Sequence, residues 1–187
     1  MPMRFRLALF ALLALLICGA CVSQARALPL KPWQDETLAF NISLPEGWQI
    51  SHVPGEDEAQ FLIAPETYDG SEESFRIYLY FSKTAEDELQ NHLELSSERI
   101  EQWMLALIDE SYEIYNKNEL KIDKKPAMAL DFAKPDGESY LVGRVVIASH
   151  PDHTLAFVAM ANREEWNATV RTFDKIVSSF KIKKTMD

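Results

Sequence analysis

Leu141-Val142-Gly143-Arg144-Val145-Val146-Ile147-Ala148 and Leu155-Ala156-Phe157-Val158-Ala159-Met160 are joined by Ser149-His150-Pro151-Asp152-His153, within the longest β-favouring run beyond the first thirty positions. Two apolar stretches around a polar, proline-containing turn predict a β-hairpin. Both faces of each arm are apolar. An antiparallel sheet with one wet face alternates apolar and polar residues, so this hairpin is expected at the centre of a sheet covered on both sides.

Two helical patterns are available as covers. Thr84 fits an N-cap followed by Glu86, Asp87 and Glu88, and Leu89, Leu93, Ile100, Trp103, Met104, Leu107 and Ile108 follow on a helical stripe, with the polar Leu95-Ser96-Ser97-Glu98 section as a candidate break into two helices. Asn162 stands three residues before Glu165 in capping-box spacing, and Trp166, Val170, Phe173, Val177 and Phe180 recur at helical intervals. Lys175, Lys181, Lys183 and Lys184 gather at the far end, where cations suit the helix dipole.

Shorter strands fill the rest. Leu38–Ser43 reads as a first strand, Leu44-Pro45-Glu46-Gly47 as a turn, and Trp48-Gln49-Ile50 as resumed extended chain. Phe61–Ala64 forms another strand, and Phe75, Ile77, Leu79 and Phe81 alternate with Arg76, Tyr78 and Tyr80. Tyr112, Ile114, Leu120 and Ile122 mark a short β-region before a turn at Asp123-Lys124-Lys125, and Met128, Leu130 and Phe132 follow in alternation with Ala129 and Asp131. The order is strands, a helix, more strands and a closing helix. The expected fold class is α+β, an antiparallel β-sheet sandwiched between helices.

Arg4 and Arg6, an apolar core over Leu7–Ile17 and small residues at Ala25 and Ala27 have the form of a secretory signal peptide spanning residues 1–27. Processing there makes Leu28 the first mature residue, with residues 28–187 as a single domain. Lipidation at Cys21 after Gly19-Ala20 is the alternative route to the envelope. Cys18 and Cys21 both lie in the leader, so a chain starting at Leu28 has no disulfide and no thiol nucleophile. The leader holds three basic residues and no acids. Sixteen Lys and Arg then face 29 Asp and Glu, a formal −13. Such a balance lacks the clustered cations that nucleic-acid binding needs. The charge is also uneven: Pro32–Phe75 holds ten acids and no Lys or Arg.

Two short signatures carry a family resemblance: Phe40-Asn41-Ile42-Ser43-Leu44-Pro45-Glu46-Gly47-Trp48 and Ile176-Val177-Ser178-Ser179-Phe180. With Ile122-Asp123-Lys124-Lys125-Pro126-Ala127 between them, the chain resembles the PsbP-like family, which includes DcrB-like bacterial envelope proteins. The resemblance covers about residues 36–182. It implies an antiparallel sheet between helices and a non-enzymatic accessory or interaction role. The usual glycine of the middle turn is Lys124 or Lys125 here.

No catalytic signature competes with that implication. No serine lies in a Gly-x-Ser-x-Gly turn, and single scattered glycines form no phosphate-cradling loop. Carboxylates are too numerous for any two to be singled out as an acid–base pair. His150, Asp152 and His153 could ligate zinc, yet a turn needs polar and proline residues anyway, so no metal site is assigned. Asp69-Gly70-Ser71-Glu72-Glu73 lacks EF-hand spacing and reads as a solvated acidic loop. Among possible interface aromatics, Trp33, Trp48, Tyr68, Tyr78, Tyr80 and Trp103, the pair Tyr78 and Tyr80 shares a face with Arg76 and is the better surface candidate. The expected function is a non-catalytic exported protein that binds an envelope protein or complex, without a cofactor. The alternatives are a small-ligand or metal-binding periplasmic module and, behind it, an unrecognised hydrolase.

Overall fold

A computed structural model describes residues 29–54, 59–71, 74–83, 112–133, 141–150 and 153–183. Residues 1–27, read as a signal peptide, and the Thr84–Ile108 stripe, including Trp103, lie outside these residues. Ten strands and one helix are described: β1 (Leu30–Asp35), β2 (Phe40–Pro45), β3 (Trp48–Val53), β4 (Ala59–Pro65), β5 (Arg76–Lys83), β6 (Glu113–Ile122), β7 (Lys125–Ala133), β8 (Leu141–His150), β9 (His153–Asn162), α1 (Trp166–Ser179) and β10 (Lys181–Ile182). Two antiparallel sheets result. The larger runs β3-β4-β5-β9-β8-β7-β6, and the smaller runs β1-β2-β10.

The hairpin that anchors the sequence reading stands in the middle of the larger sheet. Its arms pair from Leu141↔Asn162 to His150↔His153, so they are longer and their turn tighter than the sequence suggested. Alternation sends Val146 and Phe157 to one hydrophobic cluster and Val145 and Val158 to another. Both clusters are buried, as two apolar faces require.

One face is covered differently from expectation. Helix α1 contributes Phe173, Ile176 and Val177 to the first cluster, but Phe40, Ile42 and Leu44 of the small sheet share the task. Phe40 sits at the centre, with ring centroids 5.0 Å from Phe81, 5.3 Å from Phe180 and 5.7 Å from Phe61. The two sequence signatures are therefore in contact. Ser43 N–H donates to Ser179 Oγ at 2.8 Å, and Ser179 Oγ–H donates to the Ile176 carbonyl at 2.6 Å. Among the described residues α1 is the one helix, so a sheet sandwiched between helices is corrected to a mostly antiparallel β-structure with a helix and a second sheet on one face. The opposite face is buried too, with Leu130, Phe132 and Val145 fully enclosed.

Several local readings shift. Asn162 ends β9 instead of opening α1: its Oδ1 accepts the Glu164 N–H at 3.1 Å, and its carbonyl accepts Glu165 N–H at 3.0 Å. The helix starts at Trp166, one turn later than the capping-box spacing implied. Lys181 and Lys183 do not serve the helix dipole; they approach Asp123 at 3.6 Å and Glu36 at 2.6 Å. Leu44 and Pro45, read as part of a turn, are the last residues of β2, and Glu46-Gly47 alone joins it to β3 of the other sheet, with Gly47 at φ +75°.

Gly143 is held by space. A Cβ there would lie 2.2 Å from the Phe132 ring and 2.4 Å from the Ala159 carbonyl oxygen, so Phe132 packs against β8 only because that position has no side chain. The β6–β7 turn settles the missing glycine of the middle signature. Asp123 and Lys124 both have positive φ, +47° and +68°, between the paired Ile122 and Lys125. Positive φ at both central positions is a type I′ hairpin, for which Asp-Gly is a preferred sequence. Lys124 holds the glycine position. Lys124→Gly is expected to stabilise the protein by about 1 kcal/mol, the order of the left-handed penalty for a residue with a Cβ. Thermal melting should show a midpoint about 2–4 °C higher.

Candidate functional site: a cleft at the bulged edge strand

The site begins with a register shift. In the β6–β7 pair Ile114 faces Phe132 and Asn116 faces Asp131, leaving Tyr115 as an extra residue. A bulge of this kind puts two residues against one and re-aims a side chain. Here it also reverses the alternation. Tyr112 and Ile114 pack on the second cluster, whereas Leu120 and Ile122 pack on the first. These four apolar residues of β6 therefore divide between the two faces of the sheet.

Tyr115 and Asn116 consequently both serve the α1 side. Asn116 Nδ2 donates to Asp131 Oδ2 at 2.7 Å, and Tyr115 lines a cleft of about 350 Å³ with Ala133, Val142, Arg163, Trp166 and Asn167. Ala133 and Val142 form its floor from β7 and β8. The turn after β9 brings Arg163 to the rim, and the first helical residues, Trp166 and Asn167, form a wall. Tyr115 is 59% exposed, an unusual position for a large side chain in this fold.

An ion-pair network next to the floor fixes these parts. Arg144 Nε donates to Asp131 Oδ1 at 2.6 Å and its Nη2 to Oδ2 at 3.1 Å, while Nη1 donates to both oxygens of Asp174 on α1 at 2.8 and 3.0 Å. The Arg144 and Asp131 side chains are only 19% and 8% exposed. A bidentate guanidinium–carboxylate pair fixes orientation as well as distance. Hydrogen bonding to Asp131 raises the Arg144 pKa above its usual value; burial opposes this and Asp174 adds to it. The guanidinium is a permanent charge tying α1 to β7 and β8.

Partial burial of the ring, then Asp131, raises the Tyr115 phenol above the ordinary tyrosine range, against the opposing charges of Arg144 and Arg163. The phenol is protonated at neutral pH and acts as a hydrogen-bond donor and acceptor, not as a base. Phenol, indole, guanidinium and carboxamide around an apolar floor suit recognition. Nothing in this lining pairs a nucleophile with a base.

The aromatics singled out by sequence lie elsewhere. Trp33 packs on Phe40 and Phe61 at 5.6 and 6.1 Å, and Trp48 meets Phe75 at 5.5 Å. Tyr78 and Tyr80, read as surface candidates, are half-buried on the second cluster 6.1 Å apart, with Arg76 over the Tyr78 ring at 5.8 Å. Alternation identified their shared face correctly but not its burial. His153, expected at an exposed tip, is half-buried with its ring edge-on to Phe81 at 6.0 Å. The His150 side chain and Asp152 lie outside the described residues, and among those described no three His, Cys, Asp or Glu are grouped to hold a metal. In the acidic loop, Asp69 Oδ1 accepts the Ser71 N–H at 2.9 Å, so its carboxylate shapes its own turn. Tyr115 and Arg163 carried no sequence signal, whereas Trp166, on the apolar helical stripe, is partly buried against the first cluster and lines the cleft as well. Among the described residues no helix is long and apolar enough to cross a membrane.

No protein-family model matches the sequence, and no curated protein matches it. Solved structures do match. Cyanobacterial PsbP (CyanoP) from Synechocystis sp. PCC 6803 has a TM-score of 0.64 at 15% identity, covering 88% of this chain and 98% of that one. LpqN of Mycobacterium tuberculosis, involved in cell envelope biogenesis, has a TM-score of 0.57 at 12% identity, covering 85% of this chain and 88% of its own. The Saccharomyces cerevisiae Ran-binding protein Mog1p has a TM-score of 0.54 at 12% identity, covering 83% and 96%. These likenesses are of fold, and they bear out the PsbP-like architecture that the two signatures implied.

Proposed function

We propose that this PsbP-like chain is an exported, non-catalytic accessory protein of the bacterial envelope that binds a protein partner through the Tyr115 cleft. The observation that carries the reading is the bulge, which holds an exposed aromatic beside Trp166 and Arg163 on a platform fixed by Arg144. Tyr, Trp and Arg are the side chains most enriched at binding hot spots. The same fold serves a Ran-binding protein in yeast and a protein of cell envelope biogenesis in a mycobacterium, which supports an interaction role. Export rests on the leader ending at Ala27, with lipidation at Cys21 as the rival. Intact mass of the processed protein separates these: a Leu28 start excludes the lipid anchor.

A small-ligand module is the second reading, favoured by the cleft volume, which falls in the range of small-molecule sites. Mild crosslinking in the envelope fraction tests both. Wild type is expected to yield one stoichiometric protein partner. Tyr115→Ala, at an exposed position, should reduce that yield about tenfold if a hot spot of ordinary size is removed, with the thermal midpoint unchanged. Recovery of the chain alone with a bound small molecule would replace the first reading by the second.

A further inference from the structure

We propose that β6 pairs antiparallel with β6 of a second copy of this chain, about a two-fold axis through Asn118, joining two large sheets edge to edge. The inference goes beyond the partner reading and does not depend on it. Among the described residues β6 ends the strand order of the large sheet, and the side chains of Glu113, Tyr115–Glu119 and Lys121 are exposed. An edge strand presents a row of backbone N–H and C=O groups to any strand that can approach.

Charge decides which strand that is. Lys117 is in register with Leu130 and Glu119 with Met128, and both partners belong to the second cluster, so Lys117 and Glu119 lie on one face of β6. With Asn118 opposite its own copy, Lys117 stands opposite Glu119 of the copy, and Glu119 opposite Lys117 of the copy. Asn116 then faces Leu120 of the copy. Opposite charges directly across an antiparallel pair are favourable and like charges are not. Neighbouring registers fail this test. An axis through Lys117 or Glu119 sets like charge on like charge. An axis through Leu120 runs the pairing into Asp123 and Lys124, whose positive φ angles leave the extended conformation, and Asp123 Oδ2 already accepts the Ile182 N–H at 3.1 Å. An edge guarded against association would carry one sign of charge. β6 carries a sequence complementary to itself, and the two-fold makes the contact closed and isologous.

Sedimentation velocity of the purified protein, from micromolar to near-millimolar concentration, tests the proposal. Wild type is expected to show a monomer–dimer equilibrium. Lys117→Glu and Glu119→Lys should each weaken it by about tenfold or more, while circular dichroism shows the fold retained, both side chains being exposed. The double reversal K117E/E119K should restore association. Mixing the two single variants should yield a heterodimer, since each supplies the charge the other lacks. A wild type that remains monomeric throughout overturns the proposal. So does association that the single reversals leave intact, or that the double reversal fails to restore. A strand donated by another protein would appear as a heteromeric species without wild-type self-association, and would overturn it as well.

Discussion

Phe157→Asp is expected to abolish cooperative folding. Phe157 is fully buried on β9, in register with Val146 on one side and Leu79 on the other, and its ring meets Phe180 edge-on at 5.3 Å. Removing a buried phenylalanine costs about 3–5 kcal/mol. The introduced carboxylate would have no partner in the first cluster, and an unpaired buried charge adds several kcal/mol more. Together these approach or exceed the whole stability of an ordinary domain, about 5–15 kcal/mol. Near-ultraviolet circular dichroism and a thermal scan are the measurements. A cooperative transition within a few degrees of wild type would show that the hairpin is not the centre of the core. Phe157→Leu, which keeps the site apolar, should fold with a lower midpoint.

Arg144→Leu is the second large effect, and its logic is electrostatic. The substitution leaves the Asp131 carboxylate nearly buried with Asn116 as its remaining described side-chain donor. Removing one partner of a buried ion pair costs about 3–5 kcal/mol, chiefly because the other charge stays enclosed and uncompensated. Replacing both residues by apolar ones of similar volume removes that charge as well. Asp131→Leu in the Arg144→Leu background is therefore expected to recover most of the loss. Urea midpoints of the two single variants, the double variant and wild type complete a double-mutant cycle. Equal losses in single and double variants would mean that Arg144 acts through packing alone. The exposed Asp174, which holds the same guanidinium from α1, should matter less when replaced by Asn.

Much of the fold was legible because periodicity reports burial. Val145 with Val146, and Phe157 with Val158, declare a strand enclosed on both faces, and the hairpin stands at the middle of the large sheet. The two PsbP-like signatures were legible for a different reason: they touch, through Ser43 with Ser179 and Phe40 with Phe180. What escaped was whatever depends on partners distant in sequence. Leu30–Asp35 has Lys31, Pro32 and Gln34 and no clear alternation, and becomes a strand by pairing with β2. Lys181–Ile182 is two residues long and is defined by the same neighbour. The acidic stretch, legible in sequence only as a charge bias, has local uses: Asp35 Oδ1 accepts the Leu38 N–H at 2.7 Å, and Glu36 and Glu46 meet lysines. The candidate site was the least legible part. Its aromatic depends on a bulge, and a bulge at Tyr115 leaves the even-numbered apolar pattern from Tyr112 to Ile122 untouched in sequence while changing its face in space.

The small sheet has a consequence for timing. Strand β2 takes one neighbour, β1, from the start of the described chain and the other, β10, from its end. A chain that emerges N-terminus first, from a ribosome or through a membrane pore, delivers Phe40, Ile42 and Leu44 early and Phe180 last. Until the final residues have followed, those three lack Phe180 and β10, which complete their enclosure, and transiently exposed apolar surface of this kind invites aggregation. By either route the first strands to emerge wait for the last before the small sheet can close.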